Sequence, residues 1–104
     1  MVSAAELNEK LRNGKRPLVV DVRQPDEYRS GHISGAKLIP LGELGRRMQE
    51  LPRDREIVCV CASGNRSRSA TSLLVREGYQ ALNMQGGMFA WRRSSFPVRK
   101  GTAA

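Results

Sequence analysis

The sequence of 104 residues predicts an α/β fold with three layers, in which helices flank a mainly parallel sheet of four to five strands. Short valine-rich runs alternate along the chain with segments of helical periodicity, which is typical of such a layered arrangement. The chain also has the usual length of one domain. We therefore expect residues 1–104 to form a single domain, with residues 98–104 as a frayed tail.

The first element is predicted to be a helix. Ser3 and Glu6 have the spacing of a capping box, which marks a helix start. Leu7 and Leu11 then fall on one face of this helix, and Gly14 ends it. The capping signal and the apolar face agree with each other, so this helix rests on two independent local features.

The rest of the chain alternates strands and helices. The strands are predicted at 18–23, 37–40, 56–60 and 79–84, where β-branched and other apolar residues cluster. The helices are predicted at a short turn opened by Pro25, at 43–51, at 66–77 with Gly78 after its end, and within 86–93. A glycine-punctuated loop, 31–36, separates the first two strands.

Charge and composition limit the classes of partner. Eighteen Lys and Arg against ten Asp and Glu give a formal net charge of +8, which favours anionic partners. The basic residues are scattered and the five aromatic residues do not alternate with them, so a nucleic-acid surface is not predicted. No apolar run is long enough to span a bilayer and no heptad pattern is present. We expect a cytoplasmic monomer without a membrane or nucleic-acid partner.

The two cysteines lie two residues apart in a predicted strand. Their Cα atoms would be about 6.7 Å apart, at the limit for a disulfide. The single histidine, His32, is distant in sequence and completes no recognised zinc spacing. We therefore expect two free thiols and no metal or cofactor. Cys59, between Val58 and Val60, is interpreted as core packing.

Cys61 stands where the third strand stops, before a loop rich in Gly, Ser and Asn. Gly64 and Asn65 both tolerate positive φ, so successive backbone N–H groups can converge on an anion. A helix beginning near Arg66 would add its N-terminal dipole and lower the pKa of the Cys61 thiol. Cys61 is thus the candidate nucleophile. The candidate substrate-binding residues are Ala62, Ser63, Gly64, Asn65, Arg66, Ser67 and Arg68.

The roles of the charged residues near this loop differ. Arg66 and Arg68 are candidates for attracting an anionic substrate, although an arginine at a helix start can equally be an ion-pair partner. Asp21 and Arg23 follow the first strand, at the same edge of the sheet, and are interpreted as supporting residues that brace the loop. His32 is interpreted as structural. The aromatic residues Phe89 and Trp91 are predicted to lie in the core.

Two chemistries use a cysteine in an anion-binding loop. Cysteine-dependent phosphatases carry the pattern C-x5-R, but here the arginine comes one residue earlier, giving C-x4-R from Cys61 to Arg66. The shorter loop favours an additional sulfur atom on the cysteine over a complete phosphate. The phosphatase or arsenate reductase interpretation is therefore disfavoured.

The sequence resembles the single-domain rhodaneses, which are thiosulfate sulfurtransferases. The resemblance rests on four motifs in order over residues 3–98: LVVDVR (18–23), EYRSGHISGA (27–36), CASGNRS (61–67) and NMQGGMFAWRRSSFPV (83–98). It implies a parallel sheet flanked by helices and a six-residue loop from Cys61 to Arg66. It also implies transfer of sulfur from thiosulfate or a related donor to cyanide or a thiol, through a Cys61 persulfide.

The sequence departs from the family pattern at two points, one that concerns the sulfur donor and one that concerns the fold. Ala62 stands where the family often has arginine, which weakens the assignment of thiosulfate as the donor. Only Met1 and Val2 remain to form the opening edge strand of the family. The alternative is a sulfur-carrier or binding module that exchanges sulfur with a protein donor or acceptor and turns over thiosulfate weakly.

Overall fold

A four-stranded parallel sheet lies at the centre of the structure, a computed structural model that describes residues 1–14 and 16–104. The strands are β1 (Leu18–Asp21), β2 (Lys37–Leu38), β3 (Ile57–Val60) and β4 (Ala81–Asn83), in the order β2-β1-β3-β4. Asp21 of β1 lies opposite Val60 of β3, and Cys59 lies opposite Asn83. The carboxyl ends of β1, β3 and β4 therefore meet at one edge of the sheet.

In the part of the chain that the structure describes, five helices surround the sheet. They are α1 (Ala4–Arg12), α2 (Pro25–Ser30), α3 (Leu41–Arg47), α4 (Asn65–Arg76) and α5 (Gly87–Arg93), and a 3₁₀ turn, Met48–Glu50, extends α3. The predicted capping box is confirmed, since Ser3 Oγ accepts from the Glu6 N–H and the Glu6 carboxylate accepts from the Ser3 N–H. β2 ends at Leu38, earlier than predicted, and α3 also begins earlier, at Leu41, with Pro40 as its N-cap residue.

The core is divided by the sheet into two clusters. Val58 and Val60 of β3 pack on the side of α1 and α5, together with Leu7, Met88 and Trp91. Ile57 and Cys59 face the opposite side, where α3 and α4 contribute Leu44, Ala70 and Leu74. All four residues of β3 are buried, as expected for a strand covered on both faces. The predicted three-layer α/β fold is confirmed.

A single residue takes the place of a fifth strand. The Val2 N–H donates to the Asn83 carbonyl at 3.0 Å, and the Gln85 N–H donates to the Val2 carbonyl at 2.8 Å. These contacts form an isolated parallel bridge between Val2 and Met84. The edge strand is thus reduced to one bridging residue beside β4.

The prediction of a frayed tail is wrong for residues 99–103. The backbones of His32 and Arg99 exchange two hydrogen bonds, of 2.9 and 2.8 Å, in an antiparallel bridge. The Gly101 N–H donates to the Arg29 carbonyl at 2.9 Å. The segment is held because the loop after α2 leaves backbone groups without helical partners. Among the described residues, no helix is long and apolar enough to cross a membrane.

Candidate active site

Cys61 lies at the carboxyl edge of the sheet, directly after β3. Its side chain packs in the cluster shared with α3 and α4, and the residue is only 1% exposed. Helix α4 begins four residues later, at Asn65, with Gly64 as its N-cap. The cysteine therefore sits between the end of a buried strand and the N-terminus of a 12-residue helix, where the helix dipole favours negative charge.

Two groups of the loop and helix donate hydrogen bonds to the Cys61 sulfur. The Gly64 N–H donates to Sγ at 3.0 Å, and the Ser67 hydroxyl lies 3.3 Å from Sγ. Gly64 adopts φ +105°, a conformation open to glycine that turns its N–H back toward the sulfur. The loop thus closes around the thiol and directs donors at it.

These donors determine the ionisation of the thiol. Burial raises the pKa of Cys61, but hydrogen bonds from the Ser67 hydroxyl and from the backbone N–H groups of Ser67, Gly64 and Ser63 outweigh burial. The net result is a pKa below the ordinary value for cysteine. The arrangement favours the thiolate form of Cys61 without a histidine base.

Helix α5 holds the other side of the loop through backbone contacts. The Met88 N–H donates to the Cys61 carbonyl at 2.8 Å, and the Phe89 N–H donates to the Ala62 carbonyl at 3.0 Å. A Cβ atom on Gly87 would lie 2.5 Å from each of these carbonyl oxygens. Glycine is therefore required for α5 to approach the loop this closely.

Phe89 is not a core residue. Its side chain is 65% exposed, whereas Met88 and Trp91 on the same helix are buried. Trp91 is confirmed as a core residue, and its indole N–H donates to the Pro97 carbonyl at 2.8 Å. The prediction for Phe89 is wrong because this short helix buries a narrow stripe, and Phe89 lies outside that stripe.

Arg66 forms an ion pair with Glu27 of α2. Its two terminal nitrogens lie 2.8 Å from the two carboxylate oxygens of Glu27, the bidentate geometry typical of strong arginine pairs. Arg66 lowers the pKa of Glu27 to about 2 despite opposing burial, with help from the Gln24 N–H. Arg66 therefore links α2 to the start of α4 as an ion-pair partner, and its role in attracting an anionic substrate stays a prediction.

The remaining predicted binding residues differ in accessibility. Ser63, Asn65 and Arg68 are exposed, and Ala62 is half-buried. Ser67 is fully buried, with its hydroxyl facing the sulfur. The solvent-facing side of the loop is thus formed by small polar residues and Arg68.

Asp21 and Arg23 form a buried ion pair beside the loop after α2. The Arg23 Nη2 lies 2.7 Å from Asp21 Oδ2, and it also donates to the Gly31 carbonyl at 2.9 Å. The backbone N–H of Arg23 donates to the same carboxylate at 3.1 Å. The pair joins the end of β1 to Gly31 after α2, so its side-chain hydrogen bonds go there and not to the Cys61 loop that it was predicted to brace.

His32 is a buried structural contact for two segments. Its Nδ1 lies 2.8 Å from the Tyr28 carbonyl, and its Nε2 lies 2.8 Å from the Ala103 carbonyl. The imidazole also stacks on the Tyr28 ring with a centroid distance of 3.7 Å. His32 therefore ties α2 and the C-terminal segment together.

Cys59 is confirmed as core packing. It is fully buried, and burial raises the pKa of its thiol to about 11. Both cysteines are free. Across residues 1–14 and 16–104, no group of three or more His, Cys, Asp or Glu side chains could hold a metal ion.

Two side chains at this site were not identified from the sequence as site residues. Glu27 engages Arg66, as described above, and Asn83 at the end of β4 contacts Ser67. A polar residue ending an otherwise apolar strand was the available signal for Asn83. The site is therefore built from five elements: the loop after β3, the start of α4, α2, the end of β4 and the start of α5.

Comparisons with known proteins show which family the chain belongs to. Residues 3–94 match the family described as Rhodanese-like domain. A protein named Sulfurtransferase from Allochromatium vinosum is 37% identical over 98 residues, covering 93% of this chain and 92% of the relative. Thiosulfate sulfurtransferase GlpE from Pseudoalteromonas translucida is 35% identical over 75 residues, covering 71% of each chain.

A solved structure shows the same fold over almost the whole chain. The crystal structure of a rhodanese-related protein from Thermoplasma volcanium superposes with a TM-score of 0.88 at 34% identity. The match covers 94% of this chain and 95% of that one. On the family match and these relatives, the chain belongs to the rhodanese-like domain family.

Proposed function

We propose that this protein is a sulfurtransferase that moves sulfane sulfur from thiosulfate or a related donor to a thiophilic acceptor through a Cys61 persulfide. The observation that carries the proposal is the pair of donors, the Gly64 N–H and the Ser67 hydroxyl, directed at the Cys61 sulfur. A thiolate stabilised in this way is the nucleophile that such a transfer requires. Similarity to a named thiosulfate sulfurtransferase supports the choice of donor.

The first half-reaction forms the persulfide. The Cys61 thiolate attacks the outer sulfur of thiosulfate, a new S–S bond forms, and the S–S bond of thiosulfate breaks. Sulfite leaves with the bonding electron pair, and the negative charge remains on the terminal sulfur of the persulfide. Donors at the loop and at the start of α4 stabilise this charge.

The second half-reaction restores the thiolate. A thiophilic acceptor, cyanide or a thiol, attacks the terminal sulfur and the persulfide S–S bond breaks. The electron pair returns to Cys61, and thiocyanate or a new persulfide is released. No step consumes an external oxidant or reductant. The two free thiols suit a reducing compartment such as the cytoplasm.

Intact mass spectrometry after incubation with thiosulfate tests the proposal. We expect the mass to increase by one sulfur atom in the wild type and in Cys59→Ser, and to stay unchanged in Cys61→Ser. Addition of cyanide should remove the increment. Absence of an adduct in the wild type, with thiosulfate and with a low-molecular-weight persulfide as donors, would contradict the persulfide mechanism.

A sulfur-carrier role is a second candidate, and the charge of the site favours it. The Arg66 guanidinium is engaged by Glu27, and Ala62 contributes no charge, so the attraction for dianionic thiosulfate is reduced. A carrier would form the adduct from a persulfide donor while producing thiocyanate from thiosulfate slowly. Steady-state thiocyanate production distinguishes the two candidates, and Cys61-dependent hydrolysis of an aryl phosphate would contradict both.

A further inference from the structure

Asn83 contacts two of the residues that donate to the Cys61 sulfur, Gly64 and Ser67. It ends β4, is 4% exposed, and lies beside Cys59 in the sheet register. Its Oδ1 is within hydrogen-bond distance of Ser67 Oγ, and its Nδ2 lies 3.4 Å from the Gly64 carbonyl. In this orientation Nδ2 donates to the Gly64 carbonyl, which also accepts from the Arg68 N–H at 3.2 Å, and Oδ1 faces the Ser67 hydroxyl.

The Ser67 hydroxyl faces two acceptors but carries one proton. Cys61 Sγ lies 3.3 Å from Ser67 Oγ on one side, and Asn83 Oδ1 lies on the other. A hydroxyl can donate along only one of these lines at a time. Ser67 can therefore donate to the sulfur only when its hydrogen bond to Asn83 Oδ1 is broken.

The charge on Cys61 decides which acceptor receives the proton. While Cys61 is a thiol, Ser67 donates to Asn83 Oδ1, because a neutral sulfur is a weak acceptor. When Cys61 ionises, the anionic sulfur becomes the stronger acceptor and the proton turns toward it. Asn83 Oδ1, which is buried, then loses its donor, and this loss opposes ionisation.

We propose that Asn83 is a positioning residue that acts on Cys61 through Ser67 and limits how readily the thiol ionises. The limit has a chemical use, since a thiolate of very low pKa is a weaker nucleophile than one whose pKa is near the ambient pH. The inference deepens the proposed function, because it concerns the same thiol, but its test needs no sulfur donor.

The pH dependence of Cys61 alkylation tests the proposal. Iodoacetamide labelling is resolved by mass spectrometry at Cys61 in the wild type, in Asn83→Leu and in Asn83→Asp. Leucine removes the competing acceptor, so we expect the midpoint to fall by about one pH unit. Aspartate holds the Ser67 proton and adds negative charge near the sulfur, so the midpoint should rise by about one unit or more.

Opposite shifts distinguish competition for the proton from a structural role, because both variants lose the amide. In a Ser67→Ala background the effect of Asn83→Leu should vanish. Shifts in the same direction, an unchanged midpoint in Asn83→Leu, or a shift that survives in Ser67→Ala would overturn the proposal. If Asn83→Leu does not fold, Asn83→Ala also lacks the acceptor and carries the same expectation. Failure to form a persulfide, with these shifts intact, would sink only the proposed function.

Discussion

Two cysteines on the same face of one strand and its extension behave in opposite ways. Cys59 and Cys61 are 0% and 1% exposed. Burial raises the pKa of Cys59 to about 11, partly opposed by the Thr71 hydroxyl. Burial also raises the pKa of Cys61, but the Ser67 hydroxyl and three backbone N–H groups reverse the shift. The hydrogen-bond donors around Cys61, which Cys59 lacks, therefore help to separate the nucleophile from the packing residue.

Replacement of each cysteine in turn should give the largest difference in activity. We expect Cys61→Ser to reduce sulfur transfer by at least about a thousandfold, because the nucleophile is removed. Cys59→Ser should retain activity within about tenfold and lose stability, since a hydroxyl replaces a buried thiol. Thiocyanate production and urea denaturation measure the two effects. Comparable losses of activity in both variants would remove the distinction between the cysteines.

A glycine substitution tests the close contact between α5 and the Cys61 loop. Gly87→Ala places a Cβ atom 2.5 Å from the Cys61 and Ala62 carbonyl oxygens, so α5 must move away. We expect a loss of about 2 kcal/mol in the free energy of unfolding together with lower activity. The matched control is Gly35→Ala, where φ is also positive but no atom lies within 4 Å of the new Cβ.

The control isolates backbone strain from the clash. Gly35→Ala should cost about 1 kcal/mol and leave the reactivity of Cys61 unchanged. Urea denaturation and Cys61 alkylation measure the two quantities. Equal losses in both variants would show that the approach of α5 to the loop contributes nothing beyond the glycine conformation.

Removal of one hydrogen-bond donor should shift the pKa of Cys61 toward that of Cys59. Ser67→Ala deletes the hydroxyl that lies 3.3 Å from the sulfur, so the pKa of Cys61 should rise by about one unit. Ser69→Ala, at an exposed position of the same helix, is the matched control and should leave the pKa unchanged. Thiol absorbance at 240 nm against pH measures both variants, and equal midpoints would contradict the donor account.

The Glu27–Arg66 pair should have the smallest effect. The pKa of Glu27 is lowered from an ordinary value of 4.5 to about 2 by Arg66. The pair therefore stabilises the fold fully above pH 4.5, and this contribution is lost as the pH falls toward 2. Because both side chains are partly exposed, we expect about 1 kcal/mol or less.

Unfolding of the wild type and Glu27→Gln at pH 6 and pH 2.5 measures this contribution. The difference in the free energy of unfolding between the two proteins should be present at pH 6 and shrink at pH 2.5. A difference that stays constant would assign the effect of Glu27 to packing and not to its charge.

Features that neighbouring residues determine could be predicted from the sequence, whereas contacts between distant residues could not. The capping box of Ser3 and Glu6 was predicted, and so was Gly78, with φ +92°, as the residue that follows the end of α4, because neighbouring residues determine both. The pair of Glu27 and Arg66 joins residues 39 positions apart, so it depends on how α2 meets α4. Asn83 and Ser67 likewise meet only because β4 lies beside β3.

The failures have equally physical causes. The exposed position of Phe89 depends on which stripe of a seven-residue helix faces the sheet, and about two turns are too few to show a clear periodicity. The C-terminal segment contains no strand signal, yet Arg99 pairs with the backbone of His32. In both cases tertiary contacts, and not local preference, decide the outcome.

Alkylation of the native protein against pH, resolved at each cysteine, tests whether the donors around Cys61 make it the reactive thiol. We expect Cys61 to react with a midpoint well below pH 8.5, the ordinary value for a free thiol. Cys59 should stay unmodified until the protein is unfolded, since burial raises its pKa to about 11. A Cys61 midpoint at or above 8.5, or equal reactivity of the two thiols in the folded protein, would contradict the account.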